Sequence, residues 1–201
     1  MPENLSPAVA PSWTPTHPLA DLAAKSDPIG SGAPGVVLTP LAPGRMTLLV
    51  ARADAQVAAA ASLAASLGLA PPEPGEVSRD ADRRLVWTGP GQWLLVAESA
   101  APLAPLDEAL VSVSDQTGAR VLVRVSGPRA ADALAKGLLV DLHPRAFGPA
   151  AAATTTMAHL GVLVWREADG FVLAGGRSTA ADLWRFLVAS AAGLGLAVER
   201  G

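Results

Sequence analysis

The sequence contains no cysteine and no tyrosine, and it has only three histidines among its 201 residues. Without cysteine there are no disulfides, no thiolate metal ligands and no cysteine nucleophile. The histidines, His17, His143 and His159, lie too far apart in sequence to form an i, i+4 metal-binding pair. These absences favour a protein of the reducing cytoplasm that has no metal site.

The sequence also has little excess charge of either sign. Fifteen Lys and Arg residues against 18 Asp and Glu residues give a formal net charge of -3, so there is no basic field to attract nucleic acid or an anionic membrane. The longest apolar tract, residues 57–70, is rich in alanine and shorter than the roughly 20 apolar residues that span a bilayer. The N-terminus has the acidic Glu3 where a secretory signal would be basic. We therefore expect no nucleic-acid partner, no membrane span and no targeting segment.

Proline is concentrated at the N-terminus, because nine of the 18 prolines lie in the first 44 residues. Proline fixes φ and removes a backbone donor, which disfavours long regular elements. Residues 1–35 are predicted to be an extended arm, either disordered or laid against a partner through Trp13 and Leu19. Residues 36–201, in which apolar residues are abundant, are predicted to be the folded domain, with lobes of about 36–112 and 113–201.

The first lobe is predicted to contain strands and helices. Residues 46–50 alternate as a strand, and Asp54 is predicted to cap a helix that ends at Gly68. The predicted core-facing residues of that helix are Val57, Ala60, Ala61, Ala64 and Leu67. Residues 85–88 and 93–97 are predicted strands that flank a tight glycine-rich turn, and a short helix is predicted over residues 103–110.

The second lobe repeats this mixture of elements. Residues 121–125 are predicted to form a strand that leads into a helix. Residues 154–160 and 162–165 are predicted to be extended, with a hairpin turn at residues 168–170. The last helix is predicted to begin near Thr179 with a capping box, and residues 196–198 to form a closing strand. Short strands, hairpins and helices of about ten residues predict an α+β fold of mixed or antiparallel sheets backed by helices.

Two glycine-rich segments are candidate anion-binding loops. Residues 30–35 match the G-x-G-x-x-G spacing, but they do not follow a strand or precede a helix, which argues against a dinucleotide site. The better candidate is Gly175, Gly176, Arg177 and Ser178, where backbone N–H groups, the helix dipole and a guanidinium could hold an anion. In the alternative interpretation, the two glycines permit a tight turn and Ser178 caps the helix.

No catalytic centre is predicted. Asp141 and His143 place a carboxylate beside an imidazole, as a general base requires; alternatively, Asp141 caps the backbone donors of a turn. The sequence has no G-x-S-x-G motif and no P-loop. We predict no catalytic residue and no metal ligand in this chain. The predicted core tryptophans are Trp87, Trp93, Trp165 and Trp184.

Five blocks of the sequence, in the same order, resemble the gamma subunits of heterotetrameric sarcosine oxidase. The first block, residues 85–95, is similar to the W-x-G-P-x-x-W-L-L segment of that family, and the others are residues 113–116, 126–132, 136–147 and 178–184. Gln92 stands where the family often has an acid, and Leu138 where a cysteine is common. The Ser-Gly-Pro element at residues 126–128 is also similar to the folate-binding aminomethyltransferase of the glycine cleavage system.

The resemblance implies a reduced aminomethyltransferase-like fold and a non-catalytic gamma subunit that assembles with alpha, beta and delta chains. It implies that the complex oxidises sarcosine to glycine, with hydrogen peroxide and 5,10-methylenetetrahydrofolate as products. FAD, FMN, NAD, zinc and tetrahydrofolate are then expected in the partner subunits, and this chain is expected to support assembly and an internal cavity. The alternative hypothesis is a free-standing folate-binding protein of the aminomethyltransferase superfamily, with Asp115 or Asp141 as the carboxylate that pairs with the pterin.

Overall fold

The computed structural model describes residues 17–30 and 32–199, which form two β-sheets and four α-helices. In chain order the elements are α1 (Ala20–Ala24), β1 (Val36–Leu41), β2 (Arg45–Ala51), α2 (Gln56–Leu67), β3 (Val77–Arg79), β4 (Arg83–Gly89), β5 (Gln92–Ala97), β6 (Val111–Asp115), β7 (Arg120–Ser126), α3 (Ala130–Leu134), β8 (Ala152–Met157), β9 (Leu160–Glu167), β10 (Gly170–Gly176), α4 (Ala180–Ala192) and β11 (Leu196–Val198). None of these helices is both long and apolar enough to cross a bilayer.

The larger sheet has six strands in the order β11-β1-β7-β10-β9-β8. The β1–β11 pair is parallel, and every other pair in this sheet is antiparallel. Helices α1, α3 and α4 cover its outer face, where Leu38, Val123 and Leu173 pack with Trp184 of α4. The alternating valines of β7 supply one row of this core, as expected for a strand with a period of two.

The smaller sheet has five antiparallel strands in the order β3-β4-β5-β2-β6. Helix α2 covers its outer face, where Leu63 packs with Leu49 and Leu95. The inner faces of the two sheets meet in a third apolar cluster, which includes Leu94 from the smaller sheet and Trp165 from the larger one. The molecule is therefore a layered structure of helices, sheet, sheet and helix, in agreement with the predicted α+β class.

The N-terminal segment differs from the predicted extended arm. From His17 onward the chain turns into α1 and packs on the larger sheet, with Leu19 fully buried. The Ile29 backbone then bridges to Leu196 of β11. Burial of the apolar side chains of Leu19 and Ala23 offsets the low helical tendency of a proline-rich segment. Trp13 lies outside the described residues.

The two sheets also exchange strands across the predicted lobe boundary. Strand β1 belongs to the larger sheet, between β7 and β11, although its sequence position placed it in the first lobe. Strand β6 belongs to the smaller sheet, although most of it lies beyond residue 112. The chain therefore passes from the larger sheet to the smaller sheet at residues 42–44 and returns to the larger sheet at residues 116–119. Long-range strand pairing decides which sheet each strand joins.

Several local predictions for the first half were wrong. Asp54 does not cap α2; it has a φ of 60°, and the helix begins at Gln56 without a side-chain cap. This shift turns Ala59, Leu63 and Leu67 toward the core and leaves Val57 exposed. Gly68 does end the helix in the left-handed conformation. No helix forms over residues 103–110, a segment that follows Pro102 and contains Pro105.

In the second half the predicted strands are confirmed, and one turn was missed. The predicted extended segment over residues 154–160 contains a two-residue turn at Ala158 and His159, both with positive φ, which separates β8 from β9. Neither residue type is a usual signal for such a turn. The predicted capping box of α4 is absent, because the Thr179 hydroxyl donates to the Gly176 carbonyl. The closing strand at residues 196–198 is confirmed.

Candidate functional site: two pockets beside the loop between β1 and β2

The loop between β1 and β2 separates two pockets, and residues 41–43 line both of them. The first, named the intersheet pocket, has a volume of about 330 Å³. Its charged and aromatic lining residues are Asp82, Arg84, Glu98, Arg124, Trp165 and Glu167. The second, named the Arg120 pocket, has a volume of about 320 Å³, and its basic lining residues are His17, Arg120 and Arg177.

An ion cluster around Glu167 joins the two sheets inside the intersheet pocket. Glu167 is at the end of β9, and its Oε1 accepts hydrogen bonds from Arg84 Nε at 3.0 Å and from Trp165 Nε1 at 3.0 Å. Arg79 Nη1 lies 3.6 Å from Glu167 Oε2. Both arginines belong to the smaller sheet, so the cluster is a polar connection across the apolar layer.

Electrostatics keep the Glu167 carboxylate ionised. Burial alone would raise the pKa of Glu167, but the hydrogen bonds from Arg84 and Trp165 and the charges of Arg84 and Arg79 outweigh it and lower the pKa. A carboxylate engaged in this way is a poor proton donor near neutral pH. Its evident chemical role is to hold the two sheets together.

Arg124 lines the same pocket from β7. Its Nη1 lies 3.6 Å from the exposed Asp169 Oδ2, whereas its buried Nε has no hydrogen-bond partner among the described residues. The lining also includes Asp82 and Glu98, which are exposed. The intersheet pocket thus carries both signs of charge, and its lining residues include no serine, threonine or histidine that could serve as a nucleophile or general base.

The Arg120 pocket has a different charge pattern. Arg120 begins β7 opposite Gly176 of β10, and the Arg177 backbone N–H donates to the Ala119 carbonyl at 2.9 Å. This pairing brings the two arginines to one end of the larger sheet. Arg120 Nε is buried and has no hydrogen-bond partner in the described part of the chain, and burial lowers the pKa of this arginine. Neither guanidinium forms an ion pair with a carboxylate of the described residues.

His17 is fixed at the wall of the Arg120 pocket. Its Nε2 is 3.1 Å from the Leu41 carbonyl, and its Nδ1 accepts from the Leu19 backbone N–H at 3.2 Å, a pair of contacts that fits the neutral ring with the proton on Nε2. Burial lowers the pKa of His17; the Leu41 hydrogen bond opposes this effect, and the positive charge of Arg177 adds to it. At neutral pH the positive charge of the pocket therefore comes from the two arginines.

The structure separates the residues of the predicted anion loop. Gly175 lies against α4, where an added Cβ would be 2.8 Å from Leu183 Cδ2, and Gly176 accepts the hydrogen bond from Thr179. Ser178 is exposed and makes no capping bond. Of the four residues, Arg177 alone lines either of the two pockets described above.

The other candidate residues do not form a site. Asp141 accepts a hydrogen bond from the His143 backbone N–H at 2.9 Å, so this pair is a turn and the imidazole does not contact the carboxylate. Gly35 packs against the Leu194 backbone, where a Cβ would be 2.1 Å from the carbonyl oxygen, and the segment leads into β1. Within residues 17–30 and 32–199, no group of three or more acidic or histidine side chains is placed to hold a metal.

Comparison with known proteins identifies the relatives of this chain. No family model matches it. Over 163 residues it is 38% identical to sarcosine oxidase subunit gamma of an Arthrobacter species, which covers 78% of this chain and 77% of the relative. This chain belongs to the sarcosine oxidase gamma-subunit family. The gamma subunit of Corynebacterium sp. strain U-96 is 40% identical over 116 residues, which are 54% of this chain and 57% of that protein.

Solved structures agree with the assignment to the gamma-subunit family. A chain of heterotetrameric sarcosine oxidase from Corynebacterium sp. U-96, in complex with pyrrole 2-carboxylate, superposes with a TM-score of 0.76 at 28% identity over 90% of this chain and 96% of its own. Aminomethyltransferase T of the glycine cleavage system from Bartonella henselae superposes with a TM-score of 0.57 at 16% identity, over 91% of this chain and 58% of its own. The expected reduced aminomethyltransferase-like fold is confirmed.

The structure of this gamma-family chain does not place the predicted pterin-pairing carboxylates in either pocket. Asp115 and Asp141, the predicted pterin-pairing carboxylates, line neither pocket, and Asp115 accepts from the backbone N–H of Thr117 two residues away. In the intersheet pocket, Glu167 is already engaged by Arg84 and Trp165. The alternative of a free-standing folate-binding protein is therefore not favoured.

The functional candidates missed in the sequence are Arg120, Arg124, Glu167 and His17. The sequence signal for the two arginines was present, because Arg120 and Arg124 alternate with the buried valines of β7. That alternation usually marks a solvent-facing side. In this gamma-family chain, the same side is covered by the smaller sheet and by the loop between β1 and β2.

Proposed function

We propose that this chain is the gamma subunit of a heterotetrameric sarcosine oxidase, with no catalytic centre of its own. The observation that carries the proposal is its match, over 90% of its length, to 96% of one chain of the heterotetrameric enzyme. The 38% identity to a gamma subunit over most of both chains supports the same role. In this role the chain assembles with alpha, beta and delta subunits that oxidise sarcosine to glycine, and it lies in the cytoplasm, consistent with a sequence without cysteine.

The arrangement of ionisable groups supports a structural role for this chain. Glu167, the buried carboxylate, is held ionised by its neighbours, and the Asp141–His143 pair is a turn. A general acid or base needs a pKa near the working pH and a substrate within hydrogen-bond reach. Glu167 has a pKa below its ordinary value and is engaged by Arg84 and Trp165, which argues against such a role. In the proposed function, FAD, FMN, NAD, zinc and tetrahydrofolate belong to the partner subunits.

The edge strand β6 supports an interface on the smaller sheet. Its partner β2 pairs with one side of it, and no described strand pairs with the other. Val113 is exposed in this strand beside the polar Ser114 and Asp115. Exposed edge strands with apolar residues are usually covered or protected, so contact with a partner subunit would remove an aggregation risk. The chain then supports assembly and helps to enclose a cavity in which the one-carbon product is transferred to tetrahydrofolate.

Co-expression with and without this chain tests the proposal. Alpha, beta and delta chains of the same source are purified in both forms and supplied with sarcosine, oxygen and tetrahydrofolate, and free formaldehyde and 5,10-methylenetetrahydrofolate are measured. We expect the form lacking this chain to assemble poorly or to release more formaldehyde. Undiminished assembly together with an undiminished yield of methylenetetrahydrofolate would show that the proposed role is wrong.

A further inference from the structure

The Arg120 pocket combines a cavity with positive charge that the described part of the chain does not neutralise. Arg120 and Arg177 both line it, and neither pairs with a carboxylate among the described residues. The other arginines near the sheet junction do have such partners, since Arg84 contacts Glu167 and Arg124 lies near Asp169. Two cations lining one cavity without a counter-charge repel each other, and an anion between them removes that repulsion.

Arg120 also has an unmet hydrogen-bonding requirement. Its Nε is buried and has no hydrogen-bond partner within residues 17–30 and 32–199. No backbone carbonyl of these residues accepts a hydrogen bond from its guanidinium, whereas such carbonyls accept from Arg45, Arg79 and Arg83. A buried donor without an acceptor is unfavourable, and more so when it is charged. A guanidinium presents two parallel N–H groups that match the two oxygens of a carboxylate.

We propose that the Arg120 pocket binds a carboxylate, which is held between the guanidinium groups of Arg120 and Arg177. A volume of about 320 Å³ is at the small end of the range for ligand sites, so the occupant is a small organic acid or a single acidic side chain. The chemistry is the same for a free acid and for a carboxylate presented by a partner subunit. Only the second source depends on the function proposed above.

His17 serves as a built-in reporter of occupancy. Both of its ring nitrogens are engaged by the backbone of Leu41 and Leu19, so it is held in place without contacting the ligand. The charge of Arg177 lowers the pKa of His17. An anion beside Arg177 opposes that charge, so occupancy is expected to raise the His17 pKa. Loss of a purely structural contact elsewhere would not move this value.

Succinate serves as the probe for a free acid, with sodium chloride at equal ionic strength as the control. Binding to the full chain is followed by calorimetry and by NMR titration of the His17 ring. We expect R120Q and R177Q each to weaken succinate binding by roughly tenfold or more, from the loss of a charged hydrogen bond. R185Q is the matched control, because Arg185 is an exposed arginine of α4 that pairs with Asp182. If R120Q does not fold, the test rests on R177Q, because Arg177 is exposed. R177K keeps the positive charge and is expected to retain partial succinate binding.

The same variants distinguish a partner's carboxylate from a free acid. Each is co-expressed with alpha, beta and delta chains, and the amount retained in the purified complex is measured. Succinate binding that requires both arginines supports a free acid. The result expected for a partner's carboxylate has two parts. The chain does not bind succinate, and the purified complex retains R185Q normally but loses R120Q and R177Q. If succinate neither binds nor shifts His17, and retention is unchanged, the proposal is wrong. If the unmodified chain itself does not assemble, the gamma-subunit function fails, and the succinate result still decides this inference.

Discussion

Replacement of Glu167 by glutamine tests how the two sheets are held together. The substitution keeps the size of the side chain and an oxygen that can accept from Trp165, but it removes the negative charge that faces Arg84 and Arg79. Because Glu167 is buried, both arginines lose a counter-ion in an environment where water replaces it poorly. E167Q therefore isolates the electrostatic part of the connection between the sheets.

The expected magnitude follows from the exposure of the arginines. Removal of one partner from a fully buried ion pair costs about 3–5 kcal/mol, and an exposed pair contributes about 0–1 kcal/mol. The Arg79 and Arg84 side chains are 32% and 23% exposed, which places the cluster between these limits. We expect E167Q to lower the free energy of unfolding by about 2 kcal/mol, or to lower Tm by about 4–8 °C. E167A also leaves the Trp165 N–H without its acceptor, which adds about 1–3 kcal/mol.

The effect should depend on pH in one direction. The folded pKa of Glu167 lies below its ordinary value, so its charge stabilises the fold above the unfolded pKa of about 4.3. This contribution is lost as the pH falls through the lower, folded value. Urea denaturation of the wild type and E167Q, followed by tryptophan fluorescence, should thus give a constant difference from neutral pH to about 5 and a shrinking one below about 4.

Asp169 provides the matched control. It pairs with Arg124 at 3.6 Å, but its side chain is 58% exposed, so D169N is expected to change the free energy of unfolding by less than about 0.5 kcal/mol. Equal and small effects of E167Q and D169N at neutral pH would refute the assignment of a stabilising role to the cluster. A deficit of E167Q that persists unchanged in acid would show that its cause is packing rather than charge.

Two further predictions concern the fold. L19A should lower the free energy of unfolding by about 2–4 kcal/mol, because Leu19 is fully buried, whereas L139A at an exposed site should stay within about 0.5 kcal/mol; equal effects in urea denaturation would mean that the N-terminal segment does not dock. G127A should destabilise by at least about 2 kcal/mol, because φ is +99° and the new Cβ would lie 2.6 Å from the Gly35 carbonyl oxygen. G118A, which meets nothing within 4 Å, is its control, and a wild-type Tm for G127A would contradict the close approach of the two segments.

The strands were more predictable from sequence than the helix faces. The strand signals at residues 121–125 and 85–97 rest on alternation and turn residues, which are local properties. Half of the twelve residues of helix α2 are alanine, so several faces are almost equally apolar, and the residue at which the helix starts decides which face is buried. A shift caused by the left-handed Asp54 was enough to expose Val57 and bury Leu63.

Strand pairing could not be predicted from the sequence, and both pockets depend on it. The Arg120 pocket requires β7 to lie beside β10, and it requires the segment from His17 to return to the end of β1. His17 and Arg177 are separated by most of the chain, and no motif relates them. The glycine-rich pattern at residues 175–178 predicted an anion site built from backbone N–H groups. The structure packs Gly175 against α4 and brings the Arg177 side chain to the Arg120 pocket.

The inner face of β7 explains why one strand contributes to both pockets. Arg120, Leu122 and Arg124 lie on the same side of β7, and the loop between β1 and β2 crosses that side next to Leu122. The loop divides the face, so that Arg124 lies in the pocket with the acids Asp82, Glu98 and Glu167, and Arg120 lies in the pocket with a second arginine. Two arginines with the same sequence pattern thus acquire opposite electrostatic surroundings. In the intersheet pocket, acidic side chains of the chain itself balance the charge of Arg124. The Arg120 pocket gains stability from an added anion, and the carboxylate titration therefore tests Arg120 and Arg177.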